Sequence, residues 1–198
     1  MAIFRTTLGA SLFGFLALCG CAAVRPHPSP LAQYVRGLRL LRERPAGSGV
    51  PAGIRLIRQA AGENLAMAQD RIGLMYLYGW DVPANTARAI RWIHRAAERG
   101  APAAQLQLGN LYRSGRQVPQ SWSRAYYWYS IAAKPVLSDV RIQNSAQVHA
   151  FAGRLRRQVA HRLSASARAR IKHRVARWQP LPSVPYSGWI TNVGERAR

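Results

Sequence analysis

The chain has 198 residues, which is enough for one domain with a substantial core or for a short solenoid with tails, and too few for two large domains. Its 29 basic and 7 acidic residues give a formal net charge of +22, so extended anionic surfaces will attract it at low salt. The arginine excess is as compatible with genome base composition as with a binding role. Because the only cysteines are Cys19 and Cys21, the rest of the chain offers no disulfide, thiolate metal site or cysteine nucleophile.

The first 20 residues, 1–20, are typical of a signal peptide for export. Arg5 supplies a positive charge, and the apolar run that follows is shorter than the roughly 20 residues of a membrane-spanning helix. Residues 18–21, Leu-Cys-Gly-Cys, resemble a bacterial lipobox, which implies that Cys21 becomes the lipidated N-terminus. By the same resemblance, Ala22 after the cysteine implies the outer membrane. We therefore expect a periplasm-facing lipoprotein of the bacterial cell envelope, with ordinary signal-peptidase cleavage or an uncleaved anchor as alternatives.

Residues 21–29 have the proline-rich composition of a tether. Ser29 can cap a helix that has Pro30 in its first turn, and apolar residues recur at helical spacing through about Arg44. A second short helix is predicted over residues 52–61. Its apolar residues fall on those of a later segment after a shift of 36 positions, so residues 30–62 are interpreted as a degenerate helical repeat.

The segment from Asn64 to Pro135 coincides with itself after a shift of 36 residues, with twelve identities. A fixed period of this length predicts a stacked array. We divide the array into repeat 1, residues 63–99, and repeat 2, residues 100–135. The structural positions that recur are Gly73, Tyr76, Gly79, Ala89 and Trp92 in repeat 1, and Gly109, Tyr112, Gly115, Ala125 and Trp128 in repeat 2.

Each repeat is predicted to contain two helices. The first helix of repeat 1, Glu63 to Tyr78, ends at Gly79, which can adopt a left-handed conformation without a Cβ penalty. The second helix begins after Asn85, and Ser121 takes the equivalent position in repeat 2. Because both residues are good N-caps without being identical, they support a real helix boundary.

Glycines within the first helices need a packing explanation. Gly73 and Gly109 each cost about 1 kcal/mol relative to alanine in a helix interior. We expect the neighbouring helix to approach closely there, with the bulk of Trp92 or Trp128 filling the adjacent space.

The repeated pattern runs Ala-x-x-x-(Ile/Leu)-Gly-x-x-Tyr-x-x-Gly, then Val-Pro, then Arg-Ala-x-x-Trp-x-x-x-Ala-Ala. Over residues 51–135 it resembles the Sel-one-like repeat, a relative of the tetratricopeptide repeat. The expected fold is therefore all-α, a short right-handed α-solenoid of helical hairpins closed by a C-terminal helical hairpin.

The period ends after Pro135, and residues 136–144 are predicted to form a loop. Residues 144–178 are predicted to form the capping hairpin, with helices at 145–163 and 165–178, and residues 179–198 an irregular tail. No acidic residue occurs between Val140 and Gly194. The basic residues there form either a solvated outer face or a patch for anionic lipid or polysaccharide. The candidates for that patch are Arg154, Arg156, Arg157, Arg170 and Arg174.

Catalytic chemistry is not indicated. The repeats have no paired carboxylates, phosphate-binding glycine loop or Gly-x-Ser-x-Gly turn. The five histidines have no close metal-ligand spacing. We therefore expect no catalytic residue, no metal and no cofactor.

A noncatalytic scaffold that binds a protein or peptide is the favoured function. First helices line the concave face of such a solenoid, and at least one tyrosine of the pair at 126 and 127 is expected to reach outward or into a groove. The alternative is an envelope or exopolysaccharide assembly factor that binds anionic lipid or polysaccharide through the basic hairpin. Nucleic acid is not expected as a partner of an exported protein. The residues predicted at the concave face are Arg71, Leu74, Gln107, Asn110, Tyr126 and Tyr127.

Overall fold

The computed structural model describes residues 27–43, 49–134 and 145–183, and every regular element within these ranges is an α-helix. The predicted export signal, the predicted lipidation of Cys21 and the predicted loop at 136–144 lie outside the described residues. In chain order the helices are α1 (Pro30–Glu43), α2 (Gly49–Gly62), α3 (Ala66–Tyr78), α4 (Thr86–Glu98), α5 (Pro102–Ser114), α6 (Trp122–Ala132), α7 (Ser145–Ala160) and α8 (Ala165–Ala176).

The first six helices pack as three consecutive hairpins, whereas α7 and α8 pack on α6 more than on each other. Within each pair, α1 lies on α2, α3 on α4, and α5 on α6, and each second helix also contacts the first helix of the next pair. The last two helices, α7 and α8, pack mainly on α6. The predicted all-α fold, a short α-solenoid of helical hairpins, is therefore confirmed. None of the helices in the described ranges is long and apolar enough to cross a membrane.

The glycines in the first helices are explained by contact with the second helix of the same hairpin. A Cβ atom on Gly73 would lie 2.7 Å from Cγ1 of Ile93, and one on Gly109 would lie 2.4 Å from the ring of Tyr129. The same contact recurs in the first hairpin, where a Cβ on Gly37 would lie 2.8 Å from Ile57. The predicted close approach is correct, but the prediction that Trp92 or Trp128 fills the space is wrong.

A buried glutamine recurs at the same interval and ties successive hairpins together. Gln69 Nε2 donates to the Ala61 carbonyl at 2.9 Å, and Gln105 Nε2 donates to the Ala97 carbonyl at 3.0 Å. Those carbonyls lie at the ends of α2 and α4, where the helix leaves its last carbonyls without internal partners. Each glutamine therefore donates a hydrogen bond from one hairpin to a carbonyl at the end of the preceding hairpin.

The predicted caps are present. The Asn85 side chain accepts a hydrogen bond from the Arg88 amide at 2.9 Å, and the Ser121 hydroxyl accepts one from the Arg124 amide at 3.3 Å. Gly79 ends α3 with a φ of 73° in the left-handed region. The boundaries of both repeats are therefore set by local chemistry as well as by packing.

Three helix boundaries differ from the prediction by three residues each. Helix α3 begins at Ala66 rather than Glu63, because Asn64 has a φ of 66° and interrupts the helical path. Helix α2 begins at Gly49, earlier than residue 52. Helix α7 ends at Ala160 because residues 161–163 form a turn that leads to the Ser164 cap of α8.

The capping hairpin is fixed to α6 through its apolar face and two polar contacts. Leu155, Val159 and Val175 are buried against the repeats. The His149 imidazole contacts the Ala132 carbonyl, and the Lys134 ammonium donates to the Val175 carbonyl. The cap therefore closes the end of the core.

The segment after α8, residues 179–183, has no helix or strand but is held on the repeats. The Leu181 amide donates to the Glu98 carbonyl at 2.8 Å. The Ser183 hydroxyl donates to the Asn64 carbonyl at 3.0 Å. This return segment runs back across the starts of both repeats, and the rest of the predicted tail, residues 184–198, lies outside the described residues.

Candidate binding surfaces

One candidate surface is the first-helix face, which we define by Arg71, Leu74 and Tyr78 of α3 with Gln107 and Asn110 of α5. The three α3 residues are three and four positions apart and so share one side of the helix. Gln107 and Asn110 occupy the positions of Arg71 and Leu74 one repeat later. The structure joins the two helices here, because Gln107 Nε2 donates to the Tyr78 hydroxyl at 3.2 Å.

The most exposed feature of this face was not predicted. Tyr78 is 52% exposed and Trp80 is 46% exposed, and their rings stack with centroids 4.9 Å apart. The Arg71 guanidinium lies 5.8 Å from the centre of the Trp80 ring. The sequence did contain a signal, because the equivalent residues of repeat 2 are Ser114 and Arg116. Exposed aromatic residues next to an arginine are the composition of binding hot spots.

Asp70, beside the first-helix face, has an unusual environment. Burial raises the pKa of its carboxyl to about 6, and the positive charge of Arg71 lowers it only in part. One carboxyl oxygen, Oδ1, is buried without a hydrogen-bond partner. Burial also raises the pKa of the nearby Tyr34 hydroxyl. Near neutral pH, α3 therefore carries a carboxylate that is poorly solvated.

The two tyrosines predicted as contact residues differ in burial. Tyr126 is 4% exposed and packs inside the core, so its predicted role in contacting a partner is wrong. The physical reason is that the side of α6 bearing Tyr126 is covered by the capping hairpin. Tyr127 is half-buried, and the Arg174 guanidinium lies 4.7 Å from its ring centre. Burial raises the pKa of the Tyr127 hydroxyl.

The predicted basic patch is divided among different surfaces. Arg154 and Arg157 line one cleft of about 470 Å³ together with His161. Arg156 lies in another cleft with Lys134 and Lys172.

The remaining two arginines of the predicted patch are also separate. Arg174 faces Tyr127, and Arg170 is exposed on α8. The capping hairpin therefore offers several small basic surfaces.

The second helices form two equivalent pockets that the sequence did not reveal. The first-repeat pocket, about 450 Å³, and the second-repeat pocket, about 550 Å³, share five positions at the 36-residue interval. Both contain the tyrosine, arginine and tryptophan of the repeat pattern. The first-repeat pocket is lined by Arg58, Tyr76, Arg88, Arg91, Trp92 and Arg95. The second-repeat pocket is lined by His94, Glu98, Tyr112, Arg124, Tyr127, Trp128, Arg174, Trp178, Gln179 and Leu181.

Metal ligation finds no support in the described part of the chain. No group of three or more His, Cys, Asp or Glu residues there is placed to hold a metal ion. The nearest pairing is His94 with Glu98, whose side chains meet at 3.2 Å on one side of α4.

Comparison with protein families matches residues 66–100 and 102–134 to the Sel1 repeat, and the predicted resemblance is confirmed for these segments. They correspond to the hairpins α3–α4 and α5–α6. Sel1 repeats generally mediate protein–protein interaction. No curated protein matches the chain.

Solved structures that are similar to this chain include two repeat proteins. A Sel1 repeat protein from Oxalobacter formigenes is 33% identical, with a TM-score of 0.48, over 52% of this chain and 30% of that one. A protective antigen present in uropathogenic Escherichia coli strains, displaying an SLR fold, is 22% identical, with a TM-score of 0.49, over 79% of this chain and 34% of that one. This chain therefore spans about a third of the length of these proteins.

Proposed function

We propose that the protein is a noncatalytic repeat scaffold at the bacterial cell envelope and that it binds a protein partner through the first-helix face. The observation that carries the proposal is the stacked, exposed pair Tyr78 and Trp80 beside Arg71. Aromatic residues and arginine dominate binding energy at protein interfaces, because they bury a large area and also offer polar contacts.

The geometry of this face also favours a protein over a small molecule. Leu74 and Gln107 are half-buried, and Gln107 bridges α3 and α5 through the Tyr78 hydroxyl. The face therefore continues across two repeats instead of closing into one cavity. Stacked repeats use such extended surfaces to bind partners.

The experiment compares a double alanine variant of the first-helix face with an alanine control at an exposed aromatic residue elsewhere. The double variant Tyr78→Ala/Trp80→Ala changes the first-helix face. The control, Phe151→Ala, removes a side chain that is 42% exposed on the capping hairpin. Each chain, with the residues before His27 removed, is immobilised and exposed to solubilised envelope proteins in moderate salt.

A stoichiometric protein partner should bind the unchanged chain and the Phe151→Ala control, and its affinity should fall about tenfold or more with the double variant, the effect expected for a lost hot spot. The proposal fails if the partner binds all three chains equally. It also fails if only lipid or polysaccharide is recovered.

The envelope location is part of the proposal and depends on the lipobox-like residues 18–21. Lipidation of Cys21 would place the repeats at the periplasmic side of a membrane, with the outer membrane expected. Intact mass of the membrane-extracted protein tests this directly. The expected mass is that of an acylated chain beginning at Cys21, and Cys21→Ser should release the protein into the soluble fraction.

A second candidate function is binding of anionic lipid or polysaccharide in envelope or exopolysaccharide assembly. It is supported by the exposed arginines of the capping hairpin, among which Arg154 and Arg157 share a cleft. The test is binding to vesicles with and without phosphatidylglycerol at low salt. Replacing Arg154, Arg157 and Arg170 with Gln should weaken binding, and unchanged binding would exclude this function.

A further inference from the structure

The first-repeat pocket lacks two components that the chain itself provides to the second-repeat pocket. The first component is a carboxylate. Glu98 lines the second-repeat pocket and contacts His94, whereas the equivalent residue beside the first-repeat pocket is Gly62. The second component is a stretch of backbone. Trp178, Gln179 and Leu181 line the second-repeat pocket, whereas the described residues that line the first-repeat pocket all come from α2, α3 and α4.

Four arginines surround the first-repeat pocket, and no acidic side chain is among the described residues that line it. Three of them contact aromatic side chains. Arg58 donates to the Tyr76 hydroxyl at 3.3 Å, and Arg88 lies 5.7 Å from the centre of the same ring. Arg95 lies 5.0 Å from the centre of the Trp92 ring.

These ring contacts hold the guanidinium groups without neutralising them, because an aromatic ring carries no net charge. Several positive charges in a cleft that no described acidic side chain lines repel each other, and an anion that enters reduces that repulsion. Arginine binds a carboxylate through two parallel hydrogen bonds, which gives both strength and orientation. The pocket is therefore complementary to carboxylate groups.

The contents of the second-repeat pocket indicate that the occupant of the first-repeat pocket is a peptide. There, the backbone of Leu181 donates to the Glu98 carbonyl at 2.8 Å, and Pro180 lies against Gly100. A stretch of polypeptide outside any helix thus already lies on this side of the solenoid, beside a carboxylate. A partner that supplied both components to the first-repeat pocket would be a peptide with acidic side chains.

We infer that the first-repeat pocket binds an acidic segment of a protein partner, with a carboxylate held among Arg88, Arg91 and Arg95. This site is separate from the first-helix face, since it is built mainly by second helices. The two sites are tested by different substitutions. Loss of one therefore leaves the other measurable.

The probe is a fluorescently labelled synthetic peptide of about ten residues in which Glu alternates with Ser, long enough to extend past one pocket. Its binding to the full chain is measured by fluorescence anisotropy. The pocket variant carries Arg88→Gln, Arg91→Gln and Arg95→Gln. The control carries Arg154→Gln, Arg157→Gln and Arg170→Gln, so both lose three charges. Circular dichroism and thermal unfolding verify that both variants fold.

Affinity for the acidic peptide should fall about tenfold or more in the pocket variant, because charge-assisted contacts are lost, and by less than about threefold in the control. Equal losses in the two variants would show that only net charge matters and would overturn the inference. No loss in the pocket variant would overturn it as well.

Gly62 provides a reciprocal test, since a Cβ atom there would meet no atom within 4 Å. Gly62→Glu should place a carboxylate where Glu98 stands in the second repeat and weaken peptide binding about tenfold by competition. Gly62→Gln is the uncharged control and should bind as the unchanged chain does. Equal binding by the two Gly62 variants would contradict the assignment.

The chemical class of the occupant is tested with two further probes, polygalacturonate and vesicles containing phosphatidylglycerol. We expect the three pocket substitutions to reduce binding of the acidic peptide more than binding of either probe. If polygalacturonate or vesicle binding is reduced more, the occupant is a polysaccharide or a lipid, and the assignment to an acidic peptide is wrong.

Discussion

The hairpins α3–α4 and α5–α6 share a framework but present different surfaces. Both place a glycine of the first helix against the second helix, and both begin the second helix with a side-chain cap. The two hairpins differ in their exposed side chains. Tyr78 and Trp80 of the first hairpin become Ser114 and Arg116 of the second. The recurring glycines and caps therefore maintain packing, whereas the exposed residues that differ between the copies are where binding should be sought.

The glycine contact itself also differs between the hairpins, because Ile93 meets Gly73 while the flat ring of Tyr129 meets Gly109. Tyr129 is fully buried, and its hydroxyl donates to Asn110 at 2.8 Å. A ring fixed at both ends cannot move aside easily. The second hairpin should therefore be the less tolerant of added volume.

The largest loss of unfolding free energy is expected from Gly109→Ala. The new methyl group would overlap the Tyr129 ring, and the variant should lose about 3 kcal/mol of unfolding free energy, the upper range for overpacking. Its Tm should fall by about 6 to 12 °C in a domain of this size. Gly62→Ala is the matched control, since its methyl group meets nothing. Thermal unfolding measures both, and an equal Tm for the two variants would contradict the packing explanation.

An intermediate effect is expected from Asp70→Asn, since repeat 2 has Leu106 at the equivalent position. The folded-state pKa of Asp70, about 6, is raised from 3.8, so the protonated form is favoured by folding. Stability from this group is fully present below the unfolded value and is lost as pH rises through about 6. The asparagine variant has no charge to bury at high pH.

Asp70→Asn should therefore exceed the unchanged chain in unfolding free energy by about 2 kcal/mol at pH 8, and the two should converge near pH 4. Urea unfolding at a series of pH values measures the difference. A difference that does not change with pH would show that the Asp70 carboxyl is solvated in the folded protein.

The smallest effect should be the same in both hairpins. Asn85→Ala and Ser121→Ala each remove one capping hydrogen bond and should each cost about 1 kcal/mol. Exchanging the caps, by Asn85→Ser and Ser121→Asn, should leave stability nearly unchanged. Urea unfolding measures the four variants. The caps are not equivalent if the exchange lowers the unfolding free energy as much as the alanine substitutions do.

The repeat framework could be predicted from sequence because its signals are local. Asn85, Ser121 and Gly79 determine helix ends through bonds within a few residues, and these predictions are confirmed. The partner of Gly73 was mistaken, because Trp92 and Ile93 are adjacent apolar residues and only the tryptophan recurs unchanged, as Trp128. Successive residues of a helix point about 100° apart, and only the packed structure shows which one faces the glycine.

The surface pockets and the return segment could not be predicted for a different reason. The first-repeat pocket draws Arg58 from the preceding hairpin, and the second draws Arg174 from the capping hairpin. The distance from each of these arginines to its pocket depends on how the hairpins stack, and a local sequence pattern does not predict that stacking. Tyr126 was misplaced for the same reason, since the helices that cover it come later in the chain.

The return segment also has a consequence for the order of folding. Stacked hairpins are made by contacts between residues close in sequence, so they can form one after another as the chain emerges. The bond from Ser183 to Asn64 instead closes a loop spanning 119 residues, which carries an entropic cost and needs α8 to be complete. We expect this bond to form last, so a nascent chain would hold stacked hairpins with an open seam until residue 183 is available. Protection of the Ala66 amide, which donates to the Ser183 hydroxyl, would then report that the chain has been synthesised and folded through residue 183.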